Sequence, residues 1–176
     1  MIKIQLVDDE PQILKSLQRL LHPQDWQVHA FDDVYQALDA LTEHEYAVIL
    51  SDYRMPHLDG ITYLKFAKQR QPEAVRLMLT GHGDRQSMIQ AINEAEIYRF
   101  ISKPWEDYEV EAALRSAIDL HLLRSENQRL LTQLRAQQSA LDRQQQELLR
   151  LETENPGLTR VLRDADGSIL IEDSDA

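Results

Sequence analysis

The sequence lacks several features that would assign it to familiar classes of protein. It has no cysteine, which excludes disulfide bonds, thiol catalysis and cysteine-based zinc sites. No apolar run approaches the roughly 18 residues of a membrane span, and the first residues alternate in polarity instead of forming a signal peptide's apolar core. Acidic residues outnumber basic ones by 30 to 19, and the net charge of −11 disfavours direct nucleic-acid binding. We therefore expect a cytoplasmic protein that binds neither membranes nor nucleic acids directly.

The first 120 residues alternate between short apolar runs and amphipathic helical segments. The predicted strands are Ile2–Val7, Trp26–Phe31, Ala47–Leu50, Val75–Leu79 and Ile97–Ser102. The predicted helices are Pro11–Leu21, Val34–Leu41, Asp59–Gln69 and Asp84–Ala95, with Asp32 or Asp33 as the N-cap of the second. Strands separated by helices predict an α/β fold in which a parallel sheet is covered on both faces.

Residues suited to phosphate chemistry follow four of these strands. Asp8 and Asp9 come directly after the first strand, and Asp52 comes shortly after the third. Thr80 follows the fourth strand and Lys103 the fifth. Because the carboxyl ends of parallel strands meet at one edge of a sheet, we expect these groups to share a small cleft. Three carboxylates, a hydroxyl and an ammonium suit binding a divalent cation and transferring a phosphoryl group to an aspartate.

The same residues stand in four short motifs whose order and spacing resemble a known family. The motifs are Val7-Asp8-Asp9-Glu10-Pro11, Asp52-Tyr53-Arg54-Met55-Pro56-His57-Leu58-Asp59-Gly60, Leu79-Thr80-Gly81 and Ile101-Ser102-Lys103-Pro104. Each motif is weak alone, but together they resemble the response-regulator receiver domain of two-component signalling across about residues 1–120. The resemblance implies a five-stranded, parallel, doubly wound sheet of the flavodoxin-like type, with strand order 2-1-3-4-5.

The resemblance and the side-chain chemistry point to the same phosphoacceptor. A carboxylate can attack a phosphoryl group and hold it as an acyl phosphate, and the resemblance implies that Asp52 does so. Lys103 would place a point charge beside the phosphoryl oxygens, and Thr80 would supply a hydroxyl that bonds the phosphorylated state. The resemblance also implies a cis peptide bond between Lys103 and Pro104.

The acidic residues of the cleft predict a bound Mg²⁺. Asp8 and Asp9 add negative charge beside Asp52, and without a cation these carboxylates would repel one another and the incoming phosphoryl group. The resemblance implies that Asp9 and Asp52 bind the ion directly and that Asp8 acts through water. It also implies one further ligand, the backbone carbonyl of Arg54.

Two aromatic residues of the fifth strand are candidates for a conformational switch. Receivers carry a switch aromatic three residues before their lysine, where this sequence has Phe100. Tyr98 lies two residues earlier and, on a regularly alternating strand, faces the same side. A plain core phenylalanine at position 100 is an equally consistent interpretation.

A heptad pattern begins near residue 120, and neither Gly nor Pro occurs from Leu120 to Leu151. The residues expected to form an apolar seam are Leu120, Leu123, Asn127, Leu130, Leu134, Leu141, Leu148 and Leu151, with Gln137 and Gln144 completing the a and d positions. This predicts a coiled coil over 121–154, continuous with the last receiver helix, and Asn127 favours a parallel homodimer. The alternative is a solvated helix packed back on the domain. A short tail over 155–176 is expected to form a β-hairpin or remain disordered.

Function then depends on what accompanies the receiver. Ala91–Phe100 looks like receivers joined to cyclic-di-GMP phosphodiesterase domains, yet the chain lacks His-Asp, Gly-Gly-Asp-Glu-Phe and Glu-Ala-Leu. The first hypothesis is a stand-alone dimeric response regulator, not an enzyme beyond slow self-catalysed phosphorylation and dephosphorylation. It would take its phosphoryl group from a histidine kinase or phosphotransfer protein and signal to a downstream protein partner. The alternative is the receiver-plus-linker portion of a cyclic-di-GMP phosphodiesterase or cyclase. A haloacid-dehalogenase-type phosphatase is disfavoured, since it needs a second Asp where this chain has Arg54.

Overall fold

The computed structural model describes residues 1–81 and 94–156. Its strands are β1 (Ile2–Val7), β2 (Trp26–Phe31), β3 (Val48–Asp52), β4 (Val75–Thr80) and β5 (Ile97–Ser102). Its helices are α1 (Pro11–Leu21), α2 (Val34–Glu43), α3 (Gly60–Arg70) and α4 (Asp107–Glu154). The predicted alternation of strands and helices is confirmed. Most of the predicted helix Asp84–Ala95, and nearly all of the predicted tail, lie outside the described residues.

The five strands form one parallel sheet in the order β2-β1-β3-β4-β5, which confirms the predicted doubly wound, flavodoxin-like topology. Strand β3 continues through Ser51 to Asp52, so the third strand ends later than the apolar run suggested. At the carboxyl edge, Asp52 pairs with Leu79 and Thr80 pairs with Ser102. The register therefore brings the ends of β3, β4 and β5 to one edge.

The alternation of side chains along the strands builds a core on each face of the sheet. Ile4 and Leu6 of β1 pack in the cluster that includes buried residues of α1 and α4. Val7 points to the opposite cluster, which includes buried residues of α2 and α3. Because the strands are apolar on both faces, as parallel sheets require, the polar groups collect at the strand ends.

Local capping fixes where α2 and α3 begin near the carboxyl edge. Asp33 accepts hydrogen bonds from the backbone N–H groups of Tyr35 and Gln36, which makes it the N-cap of α2. Asp59 accepts from the N–H of Thr62 and caps α3 in the same way. An N-cap of this kind typically contributes about 1 kcal/mol to helix stability.

Helix α4 begins as part of the receiver core. Its buried residues are Val110, Ala113, Leu114, Ala117 and Ile118. Leu120 still packs partly against the same core, and Nδ1 of His121 donates to the carbonyl of Glu73 over 2.9 Å. These contacts explain why the first compact unit, Met1–Asn127, continues past the predicted boundary at residue 120.

The second compact unit, Gln128–Ala176, contains the rest of α4. Within it, Leu130, Leu134, Leu141 and Leu148 are each between 44% and 61% exposed. Helix α4 runs for 48 residues to Glu154, as the absence of Gly and Pro predicted. Among the described residues, no helix combines the length and apolarity needed to cross a bilayer.

Candidate functional site

The structure brings together most of the side chains predicted to share a cleft. Asp8 follows β1, Asp52 and Thr80 end β3 and β4, and Lys103 follows β5. The ammonium Nζ of Lys103 lies 2.7 Å from Oδ2 of Asp8 and 2.7 Å from Oδ1 of Asp52. Both aspartates and Thr80 are buried, and Lys103 is only 19% exposed. A single ammonium therefore links the two buried carboxylates at the centre of the carboxyl edge.

Each buried carboxylate is also held by a backbone N–H two residues further along the chain. Oδ1 of Asp8 accepts from the N–H of Glu10 over 2.9 Å. Oδ2 of Asp52 accepts from the N–H of Arg54 over 2.7 Å. One oxygen of each aspartate is thus fixed by the backbone and the other faces Lys103, which orients both carboxylates without a bound ligand.

Burial and pairing act in opposite directions on these groups. Burial raises the pKa of the Asp8 carboxyl, against the lowering effect of Lys103 and the Glu10 N–H. Burial lowers the pKa of Lys103, but its hydrogen bonds to Asp52 and Asp8 outweigh burial, so the pKa lies above its usual value. Lys103 is therefore a permanent cation whose charge offsets part of the negative charge in the cleft.

Asp9 differs from Asp8 and Asp52 in its exposure. It is exposed to solvent and lines an open cleft with Asp32, Asp33 and His57. Within residues 1–81 and 94–156, no three carboxylate or imidazole groups converge into a ready metal site. The residues present still fit Mg²⁺, which prefers hard oxygen ligands. Oxygens of Asp8 and Asp52 converge on one position, and the positively charged Nζ of Lys103 occupies that position here.

The ends of β4 and β5 are tied together beside the cleft. The N–H of Lys103 donates to the carbonyl of Thr80 over 2.6 Å, so the backbone of the lysine is fixed to that of the threonine. Thr80 itself is 3% exposed. The peptide bond between Lys103 and Pro104 is cis, as the family resemblance implied.

Gly60 is a site residue for which the sequence analysis assigned no role. It is the first residue of α3, and its N–H donates to the carbonyl of Tyr53 over 2.9 Å. A methyl group on Gly60 would overlap the backbone carbonyl of Asp52 and lie 3.1 Å from Cα of Tyr53. Only glycine allows α3 to approach the backbone of Asp52 so closely. The Asp59-Gly60 pair was visible as a cap signal, but the packing was not.

The pairing of β4 with β5 is irregular beside the two aromatic residues proposed as a switch. It shifts between Arg76 and Leu77, because Arg76 pairs with Ile97 and Leu77 with Arg99. This irregularity interrupts the strict alternation on which the expectation of a shared side rested. Ile97 lies in the same core cluster that Phe100 contacts, while Tyr98 is 43% exposed. That Tyr98 faces the same side as Phe100 stays a prediction.

The comparisons with known proteins agree with this geometry. The model of the response regulator receiver domain family matches residues 4–115. The transcriptional regulatory protein FixJ of Bradyrhizobium diazoefficiens is 38% identical over 115 residues, or 65% of this chain and 56% of the relative. The hydrogenase transcriptional regulatory protein HoxA of Cupriavidus necator is 35% identical over 130 residues, 74% of this chain and 27% of the relative. The chain thus spans well under two thirds of each relative.

Solved structures give the same answer. The receiver domain of an HD domain-containing protein from Pseudomonas fluorescens Pf-5 is 40% identical with a TM-score of 0.68, covering 71% of this chain and 92% of that one. A structure described as an adenylate cyclase from Rhodopirellula baltica is 32% identical with a TM-score of 0.70, covering 74% and 96%. The chain belongs to the response regulator receiver domain family, and it carries the phosphoryl-accepting receiver of a two-component response regulator.

Proposed function

We propose that the chain is a response regulator whose phosphoacceptor is Asp52 and whose donor is a histidine kinase or phosphotransfer protein. The observation that carries the assignment is the place of Asp52 at the end of β3, the middle strand of the sheet, with its Oδ1 2.7 Å from Nζ of Lys103. Its other oxygen is held by the backbone N–H of Arg54. Asp8, which has the same kind of contacts, follows β1 and is buried beside it, and Asp9 is exposed.

The proposed transfer is a direct displacement at phosphorus. A carboxylate oxygen of Asp52 forms the new bond to phosphorus as the bond from phosphorus to the donor's imidazole nitrogen breaks. The products are the acyl phosphate on Asp52 and the neutral donor imidazole. Lys103 then pairs with the phosphoryl oxygens, and the Thr80 hydroxyl supplies a further hydrogen bond.

We assign the bound cation to the acidic side of the cleft. Asp8, Asp9 and Asp52 would hold Mg²⁺, together with the backbone carbonyl of Arg54. Receiver domains generally bind Mg²⁺ at the phosphorylation site. When bound, the ion neutralises charge on the phosphoryl oxygens and on the carboxylates. Lys103 must yield at least one of its two aspartate oxygens when the ion arrives, since it now occupies them both.

Incubation with MgCl₂ and acetyl phosphate, followed by intact-protein mass spectrometry, tests the assignment. The wild-type chain should gain one phosphoryl group, and Asp52→Asn should gain none. Asp25→Asn removes an exposed aspartate in the loop between α1 and β2 and serves as the control. Equal labelling of Asp52→Asn and the wild type would overturn the proposal.

We propose that Thr80 and Phe100 report phosphorylation to the surface. Phe100 is half-buried and packs against the cluster that contains Met78 and Ile97. If the Thr80 hydroxyl turns toward the phosphoryl group, the space it leaves lets Phe100 move inward. Tyr98, exposed beside it, would take part only as a surface group.

The seam of α4 supports a parallel homodimer. Leucines at five of its heptad positions are between 44% and 61% exposed in the single chain; they are Leu123, Leu130, Leu134, Leu141 and Leu148. Such a row of exposed leucines marks a surface that a partner covers. Asn127 is the polar a position that specifies register in parallel pairs. The dimer would carry the phosphorylation signal to a downstream protein partner.

Because the chain has no native cysteine, a single introduced thiol can report the orientation of the pair. Leu134→Cys places the two thiols opposite one another only in a parallel, in-register dimer. Mild oxidation should then yield a covalent dimer on a non-reducing gel. Ser139→Cys, at an f position of the same helix, should remain monomeric on that gel. The absence of cross-linking at position 134 would contradict the parallel seam.

A second candidate function is the receiver-plus-linker portion of a longer signalling enzyme. It is favoured by the similarity to receivers described with an HD domain or an adenylate cyclase. It is also consistent with the fact that the chain spans only 26% to 56% of the length of its relatives HoxA and FixJ. The reading frame of the gene distinguishes the two, since an enzyme domain would be encoded next to residues 1–176.

A further inference from the structure

Lys103 contacts three carboxylates of the described residues, and the three differ in kind. Two are the buried side chains of Asp8 and Asp52, both 2.7 Å from Nζ. The third is Glu10, whose Oε1 lies 3.6 Å from Nζ and whose side chain is 65% exposed. Among the described carboxylates, the ammonium therefore has two close partners inside the cleft and one more distant partner at its mouth.

The two buried partners cannot both keep the ammonium when a cation binds. Each has its other oxygen held by a backbone N–H, so the oxygens that face Lys103 are those a cation would take. An ammonium that loses either of these oxygens, and is still largely buried, keeps part of its charge uncompensated unless another carboxylate approaches it. The free energy of cation binding thus depends on which group pairs with the Lys103 ammonium afterwards.

The Glu10 carboxylate is placed to pair with the Lys103 ammonium. It is the N-cap residue of α1, yet its side chain makes no capping hydrogen bond, so the carboxylate is available to the cleft. Its backbone N–H donates to Oδ1 of Asp8 over 2.9 Å, which fixes the main chain of Glu10 beside the cleft. We propose that Glu10 is a positioning residue that pairs with the Lys103 ammonium when Mg²⁺ binds an oxygen of Asp8 or Asp52 that now faces the lysine. The inference rests on the Mg²⁺ site of the proposed function.

The first test is a titration of the full chain with MgCl₂, followed by amide NMR. Glu10→Gln keeps the size and removes the charge, and as an exposed change it should leave the fold intact. Exposed ion pairs are worth little, so we expect the dissociation constant for Mg²⁺ to rise about three- to fivefold. Glu106→Gln removes an equal charge from an exposed residue three positions after Lys103 and should change the constant less than about 1.5-fold.

A double-mutant cycle separates relay through Lys103 from a direct effect of charge. In the Lys103→Met background there is no ammonium to receive, so adding Glu10→Gln should change the constant less than about 1.5-fold. An equal effect in both backgrounds would overturn the inference and leave the proposed function standing. If the wild type fails to bind Mg²⁺ at all, the proposed function falls as well.

A second readout follows the lysine directly. Reductive methylation with formaldehyde, quantified at Lys103 by peptide mass spectrometry, reports how well the ammonium is paired. At saturating MgCl₂, Lys103 should react about threefold faster in Glu10→Gln than in the wild type, since its exchange partner is lost. Equal rates in the two proteins would count against a relay.

Discussion

Charged side chains are usually exposed and apolar ones buried, and the cleft and the seam depart from this rule in opposite ways. In the cleft, the charged side chains of Asp8 and Asp52 are buried and paired with Lys103. Along the second unit's part of α4, apolar side chains such as Leu134 and Leu141 are exposed to solvent. Buried charges that are paired have their partners within the single chain, whereas an exposed row of leucines has an apolar surface that the single chain does not cover.

The difference assigns a different physical origin to each function. Phosphoryl acceptance depends on contacts within one chain, because the Lys103 ammonium and the Arg54 N–H that hold Asp52 belong to the same chain. The proposed assembly would depend on contacts that a single chain does not make. Changes in the seam should therefore alter association without altering phosphorylation, and changes near Asp52 should do the reverse.

The largest expected effect comes from placing charge in the seam. The double variant Leu134→Lys and Leu141→Lys removes four leucines across a dimer and adds four like charges. Burial of a leucine side chain contributes about 2 kcal/mol, so the dissociation constant of the dimer should rise by roughly a hundredfold or more. Sedimentation equilibrium measures the change. Uptake of phosphate from acetyl phosphate should remain that of the wild type.

The matched control for the seam uses the same helix. Thr132→Lys and Ser139→Lys add the same charges at f positions, outside the a and d positions, and should leave the dimer in place. A dimer that survives lysines at positions 134 and 141 would mean that another surface joins the chains.

The next effect concerns the contact between α3 and the phosphoacceptor. Gly60→Ala forces a methyl group against the Asp52 carbonyl, so either α3 or the end of β3 must shift. Overpacking of this kind costs about 1–3 kcal/mol in the free energy of unfolding, and a misplaced reacting group slows transfer about tenfold or more. Urea denaturation and the rate of labelling by acetyl phosphate measure both. The seam should be unaffected, and wild-type values for stability and labelling would refute the close-contact argument.

The periodicity of the sequence predicted the strands, the helices and most of the cleft, and the resemblance to receivers implied the strand order. Apolar runs bounded by Asp8, Asp52, Thr80 and Lys103 could be assigned to strand ends because parallel strands leave their polar residues at one edge. The heptad spacing likewise predicted the helical stretch that ends at Glu154. These features depend on local patterns that repeat along the chain.

What the sequence did not reveal depends on contacts between distant segments. The role of Gly60 arises from a backbone approach that no pattern encodes. The irregular pairing of β4 with β5, which falls next to Tyr98, is not visible in the alternation of the sequence. Likewise, the joint hold of Lys103 on two aspartates requires β1, β3 and β5 to be assembled first.

The smallest predicted effect is on stability, and it concerns His29 on the edge strand β2, a partly buried titratable group in a third region of the molecule. Nδ1 of His29 lies 2.9 Å from the hydroxyl of Tyr46, and the amide of Gln27 donates to its Nε2, which requires that nitrogen to be unprotonated. The His44 ring packs against it, with centroids 4.8 Å apart. Burial, and then the charges of His44 and Lys3, lower the pKa of His29. Unlike Lys103, a charged His29 would gain no carboxylate partner from these neighbours.

The sign of the pH effect follows from that lowered pKa. An unfolded His29 binds its proton near its ordinary pKa of 6.5, before the folded one does, so protonation favours the unfolded chain. The free energy of unfolding that depends on His29 is fully present above pH 6.5 and is lost as the pH falls below it toward the lowered pKa. Relative to His29→Gln, the wild type should therefore lose stability on going from neutral to mildly acidic pH. Partial exposure keeps the loss below about 1 kcal/mol. Urea denaturation across this pH range measures the change in the free energy of unfolding. His22→Gln is the control for removing one exposed imidazole. A wild type that gains stability relative to His29→Gln on acidification would contradict the prediction.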